Sequence, residues 1–169
     1  MHNIRFPEIW QILTRHIDFE NKSLLDVGSG YGDLMKAAHK KGAKVYGIDK
    51  NIQLVEQLKE FEKDDFYISF VDIDKVTEGD FLLDDVDILT CFSVLPYLNK
   101  PNQALRYFKK LAKIVVIECQ YANDGPGFYW LKGDGDMEAW LKQVWNTVGK
   151  IGETKVEDRD KQRSIWLCE

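Results

Sequence analysis

The chain predicts a doubly wound α/β sandwich closed by an antiparallel hairpin, and three observations carry that expectation. Leu24-Leu25-Asp26-Val27 reads as a buried strand that runs into the glycine turn Gly28-Ser29-Gly30-Tyr31-Gly32-Asp33; a helix and a second strand, Val45-Tyr46-Gly47-Ile48-Asp49, follow. Beyond it, short β-branched runs alternate with apolar residues at helical spacing, as expected when crossover helices cover both faces of a parallel sheet. Near the end, Val148 to Val156 and Ser164 to Cys168 alternate in the strand manner around the polar turn Asp158-Arg159-Asp160-Lys161, which predicts the hairpin.

The elements follow in order. Phe6, Ile9, Trp10, Leu13 and Ile17 have helical spacing, with Pro7 suited to a first turn, so residues 1–20 should hold an N-terminal helix against the sheet edge. Leu34, Ala37 and Ala38 line the helix after the glycine turn, and Gly42 is its expected stop. Asn51 can cap a third helix whose inner stripe is Leu54, Val55, Leu58 and Phe61. Phe66 to Ile73 supplies the third strand, and the weak periodicity between Asp72 and Asp85 allows only a short helix there. Ile88 to Cys91 reads as a central strand, Pro101 opens a helix with Leu105, Phe108 and Leu111 inward, and Ile114 to Cys119 is the fifth strand. Met137, Trp140, Leu141, Val144 and Trp145 form a last amphipathic stripe.

Size and charge narrow the function classes. The 169 residues suit one domain spanning 1–169, and 44% hydrophobic content supplies a single core. A formal net charge of −5 disfavours a nucleic-acid partner, because that affinity rests chiefly on basic patches. The lysine clusters at 36, 40, 41 and 44 and at 109, 110 and 113 read as solvated helix ends. Cys91, Cys119 and Cys168 have no metal or redox spacing and read as free buried thiols in a cytoplasmic protein. No metal site is expected. Met1 to Phe6 carries no long apolar run, so neither export nor a membrane span is predicted.

Alternating glycines let the backbone turn tightly and approach a ligand, which points to an adenosine-type cofactor above the turn. A dinucleotide fingerprint would need glycine where Asp33 stands. Asp26, two residues before the first glycine, would repel a pyrophosphate but attract an ammonium and a sulfonium. These residues favour S-adenosylmethionine over a nicotinamide dinucleotide.

The pattern resembles the class I S-adenosylmethionine-dependent methyltransferases, particularly the small type-11-like domains. The resemblance rests on Asp26-x-Gly28-x-Gly30-x-Gly32, Asp49, Asp72, and Asp87-Ile88-Leu89 followed by Val94-Leu95-Pro96-Tyr97-Leu98, over roughly residues 23–119. It implies a Rossmann-like, mostly parallel seven-stranded sheet with the last strand antiparallel. It also implies that Asp26, Gly28, Ser29 and Gly30 lie near the methionine end of the cofactor and Asp49 holds the ribose hydroxyls. Asp72 and Ile73, with Asp74 as the alternative acid, meet the adenine, and Phe92 and Ser93 complete the cofactor-binding set. The chain departs from the family in three ways. The P-G-G turn before the fifth strand is missing, and Lys50 replaces an apolar residue beside the adenine, where its methylene stem could still cover the base. Pro96-Tyr97 lacks the Asn/Asp-Pro-Pro-Tyr motif of amino-group methylases, and no Pro-Cys pair exists for attack on a pyrimidine.

The acceptor is expected to be a small molecule. The alternatives are a protein or RNA partner, or a cofactor-binding subunit without catalysis. Should the acceptor need deprotonation, the candidate bases are Tyr97, Glu118 and Tyr121; His2, His16 and His39 are assigned no role. The long connection 121–136, with Phe128, Tyr129 and Trp130 among glycines, is expected to act as a substrate lid.

Overall fold

The structure is a computed structural model that describes residues 5–76, 83, 85–122, 128–156 and 161–169. Its helices are α1 (Phe6–His16), α2 (Asp33–Lys40), α3 (Ile52–Lys59), α4 (Pro101–Leu111) and α5 (Asp134–Leu141). Its strands are β1 (Ser23–Val27), β2 (Lys44–Asp49), β3 (Phe66–Phe70), β4 (Val86–Phe92), β5 (Ala112–Glu118), β6 (Val148–Val156) and β7 (Lys161–Cys168). They form one seven-stranded sheet, as expected, and its strand order is β3-β2-β1-β4-β5-β7-β6. The first five strands pair in parallel; β7 runs antiparallel to β5, and β6 antiparallel to β7. The hairpin therefore inserts its second strand beside β5 and leaves β6 at the edge. Most of its expected polar turn lies outside the described residues.

Successive strand side chains feed two cores, one on each face of the sheet. Leu25, Val27, Leu89 and Ile117 join the layer of α4 and α5, while Leu24, Ile88 and Val116 join that of α1, α2 and α3. Asn51 caps α3 as predicted, its Oδ1 accepting from the Gln53 amide at 3.1 Å. α4 passes into β5 without a loop. α1 packs on edge strand β6, where a Cβ on Gly152 would fall 2.8 Å from Ile12.

Two helices stop earlier than their apolar stripes predict. α3 ends at Lys59, so Phe61 is half exposed and lies beneath the Lys36 ammonium, 4.0 Å from its ring centroid. α5 ends at Leu141, yet a turn bonded to the Leu141 carbonyl still buries Trp145. The crossover after β3 holds one 3₁₀ turn, Ile73–Lys75, and residues 77–82 and 84 lie outside the described part.

Asp87 closes the amino end of the sheet. Its carboxylate accepts from the Ser23 amide and hydroxyl and from Lys113 at 2.8 Å, tying β1, β4 and β5. The Lys113 ammonium and the Ser23 donors hold the carboxyl down at about 2. The motif acid at the start of β4 is thus a fastening, at the opposite end of the strand from the glycine turn. All three cysteines are free and buried.

Candidate functional site

The strand order reverses between β1 and β4, and crevices at such switch points are where open α/β sheets bind ligands. A cleft of about 230 Å³ opens there, and Gly28, Asp49, Lys50, Ile73, Phe92, Ser93 and Tyr97 of the expected residues line it. A neighbouring groove of about 260 Å³ shares Ile73 but none of the glycine turn, running instead along α4 past Lys100, Arg106 and Lys110.

The turn itself is held by β2. The amides of Gly28 and Ser29 both donate to the Ile48 carbonyl, at 2.8 and 3.1 Å. Gly28 and Gly30 have φ of 74° and 53°, the left-handed region that other residues enter at a cost. At Gly28 a Cβ would also lie 2.3 Å from Val94 Cγ2, so the turn closes directly against the segment after β4.

Asp49 ends β2 between two backbone donors. Its Oδ2 accepts from the Gly30 amide at 2.9 Å and its Oδ1 from the Asn51 amide at 2.8 Å. A carboxylate has about four lone-pair sites, so these bonds orient the group and leave acceptor capacity for vicinal hydroxyls. Ser29 Oγ is buried beside the same turn without a partner among the described residues. A polar, nucleoside-like ligand fits this arrangement.

Asp26 lies behind the cleft, only 5% exposed, opposite Thr90 in the β1–β4 register. Burial pushes its carboxyl up to about 7; the Thr90 hydroxyl, donating at 2.7 Å, opposes the rise and the Asp49 charge adds to it. A cation brought alongside would stabilise the ionised form, whereas a phosphate would not. The two carboxylates therefore suit a cationic, phosphate-free ligand.

Two of the three candidate bases stand off the cleft wall. Glu118 is completely buried, with Arg5 Nη1 at 2.9 Å, Ser93 Oγ at 2.8 Å and Arg163 Nε at 3.5 Å. It is a buried counter-ion and does not line the cleft as a base. Tyr121 donates its hydroxyl to Asp134, burial together with that carboxylate pushes the phenol well above its ordinary range, and the residue does not line the cleft. The described aromatics of the expected lid have neighbours of their own, with Tyr129 left exposed. Phe128 and Trp130 stack on each other at 5.4 Å and both meet Trp140 edge-on, so they pack against α5. None of the described residues of 121–136 lines the cleft, and 123–127 lie outside the description.

The acids expected to meet the adenine are engaged locally. Asp72 caps its own 3₁₀ turn, accepting from the Asp74 amide, and pairs with Lys75 at 3.4 Å. Asp74 accepts from the amides of Asn99 and Lys100 and anchors the entry to α4. Tyr97, half exposed on the turn Leu95–Tyr97, is the one candidate base on the cleft wall.

Sequence reasoning missed Thr90, Arg5 and Arg163. Thr90 is the lone hydroxyl in the apolar run of β4, a signal that was present. The arginines reach Glu118 and Ser93 across 45 to 113 residues of chain, and no local pattern announces such contacts.

Comparisons with known proteins agree with this geometry. A family model described as "Methyltransferase domain" matches residues 25–114. The "Ubiquinone biosynthesis O-methyltransferase" of Histophilus somni is 29% identical over 120 residues, which is 67% of this chain and 50% of that protein. The chain spans about half the length of the curated relatives it matches. An S-adenosylmethionine-dependent methyltransferase from Mesorhizobium loti superposes with a TM-score of 0.73 over 98% of this chain and 97% of its own, at 13% identity. The magnesium protoporphyrin IX methyltransferase of Synechocystis, solved with bound S-adenosylhomocysteine, gives 0.71 over 95% of this chain and 80% of its own, at 16% identity. At such identities the structural likeness speaks for the fold. The family match and the fold around a strand-turn-helix-strand unit ending in Asp49 together mean that the chain belongs to the methyltransferase domain family, the class I S-adenosylmethionine-dependent methyltransferases.

Proposed function

We propose that this chain binds S-adenosylmethionine in the β1–β4 cleft and transfers its methyl group to a small-molecule acceptor. The observation that carries the reading is Asp49, oriented by the Gly30 and Asn51 amides at the cleft wall with the buried Asp26 close behind. In this reading Asp49 holds the ribose hydroxyls, Asp26 faces the methionine ammonium, and Ser29 Oγ gains a polar partner. Ile73, Phe92 and the stem of Lys50 offer the apolar walls for the base.

Bound S-adenosylmethionine would supply an electrophilic methyl group on a sulfonium. Charge disperses as that group leaves, so the chain's task is alignment and exclusion of water; orientation of this kind contributes on the order of 7–11 kcal/mol. A hydroxyl acceptor needs a proton acceptor, and Tyr97 is the described candidate residue on the cleft wall. The curated relatives are named O-methyltransferases, which makes hydroxyl compounds the first acceptors to screen.

Calorimetric titration with S-adenosylmethionine, S-adenosylhomocysteine and NAD tests the cofactor, with binding expected for the first two alone. A turnover screen over phenol, amine and thiol acceptors then tests the acceptor. Binding of NAD with neither adenosyl compound would overturn the reading.

A further inference from the structure

Ser93 lines the cleft in a conformation its residue type disfavours. Its φ is 58°, in the left-handed region, although it carries a side chain. Such a residue persists only where its surroundings over-determine it. Here they do. The Ser93 amide donates to the Glu118 carbonyl at 2.9 Å, and its hydroxyl donates to Glu118 Oε2 at 2.8 Å. The same hydroxyl accepts from Arg5 Nη2 at 3.2 Å and Arg163 Nη1 at 3.0 Å, which fills its hydrogen-bonding capacity of one donor and two acceptor sites.

The kink sets the next residue. Val94 is thrown against the α-carbon of Gly28, so Ser93 fixes the contact between the two walls of the cleft. Arg5 stands apart in this cluster because it precedes α1 rather than belonging to the sheet. It also reaches Glu118 Oε1 at 2.9 Å and Thr154 Oγ1 of β6 at 3.2 Å, while Glu8 of α1 accepts from the Lys155 amide. The start of α1 is thereby bolted to the strand ends that shape the cleft.

We propose that Arg5 and Glu118 are positioning residues of the cofactor site, acting through Ser93 and Val94 on the glycine turn, and that the first turn of α1 is a working part of the site. The inference rests on the cofactor reading above. Glu118 supplies the charge that draws Arg5 inward and the oxygen that orients the Ser93 hydroxyl. Arg163 remains beside Glu118 when Arg5 is removed, so an Arg5 variant keeps a partner for the buried carboxylate.

The test compares Arg5→Ala, Arg5→Lys and Asp87→Ala in the full chain. Asp87→Ala breaks an ion pair and the Ser23 hydrogen bonds at the far end of β4, so it lowers stability without touching the cleft. Arg5→Ala is expected to raise the Kd for S-adenosylhomocysteine at least tenfold, Arg5→Lys to recover part of the loss, and Asp87→Ala to leave Kd within twofold. A Kd for Arg5→Ala within twofold of the parent, or an equal loss in Asp87→Ala, overturns the proposal. Hydrogen exchange without ligand separates this from the cofactor reading. The amides of residues 92–98 and 28–31 should exchange faster in Arg5→Ala than in Asp87→Ala, and unchanged exchange refutes the linkage even if the parent binds no adenosyl compound. A parent that binds none, with exchange altered as expected, would refute the cofactor reading and keep the linkage.

Discussion

Replacing Asp26 by asparagine should stabilise the ligand-free protein above neutral pH while weakening its hold on the cofactor. In the folded chain burial raises the Asp26 carboxyl from 3.8 to about 7. In the unfolded chain it titrates near the ordinary value, so between about pH 4 and pH 7 the native state holds a proton that the unfolded state has released. Stability therefore falls as pH rises through this window, since the unfolded state binds fewer protons. The shift of roughly three units corresponds to about 4 kcal/mol at 1.36 kcal/mol per unit. Asparagine resembles the protonated acid, and its carbonyl can still accept from Thr90. Urea denaturation of the two proteins should give near-equal stabilities at pH 4 and a gap opening toward roughly 4 kcal/mol in favour of the variant at pH 8. Titration with S-adenosylmethionine at pH 8 should show the opposite order, because the variant offers no charge to the ammonium. A variant no more stable than the parent at pH 8, or a gap that does not grow between pH 4 and 8, would refute the account of Asp26 as a desolvated acid kept for a cation.

Other outcomes follow from the same geometry. Asp49→Ala removes the proposed acceptor for the ribose hydroxyls and unpins the Gly30 amide; two charge-assisted bonds at roughly 1.5–3 kcal/mol each should weaken S-adenosylhomocysteine binding by about a hundredfold or more in calorimetry, and a loss under threefold would mean the site is misplaced. Gly28→Ala drives a methyl group into Val94 and should abolish binding, with Val94→Ala in the same chain restoring only part of it because the left-handed φ of 74° remains unfavourable. Trp140→Ala removes the ring that Phe128 and Trp130 both meet edge-on and frees Asn102, which should cost about 3–5 kcal/mol in urea denaturation while the folded protein keeps its cofactor affinity; a selective loss of affinity would instead support a lid role for the aromatic segment.

The unit that carries the proposed cofactor residues was legible because it is local. Asp26, Gly28, Gly30 and Asp49 belong to one strand-turn-helix-strand unit, where spacing along the chain already decides spacing in the fold. The surroundings of the candidate bases were illegible for the opposite reason. Glu118, at the end of β5, looks like an acid facing a mouth, and only Arg5 and Arg163, brought in from the two ends of the chain, turn it into a buried counter-ion. Tyr121 was likewise decided by Asp134 and by burial, neither of which periodicity reveals.

Periodicity also limited the helix ends. Apolar spacing continues to Phe61 and Trp145, but α3 and α5 stop at Lys59 and Leu141, where the backbone bonds turn instead. The sequence by itself determined the order of strands and helices, the hairpin that closes the sheet, and the glycine turn with its two acids, since alternation, helical spacing and turn chemistry act over a few residues. The tertiary structure alone decided which carboxylates stay available and how Ser93 is held at the cleft. Those outcomes depend on burial and on charges whose partners lie up to 113 residues away, and no local rule encodes them.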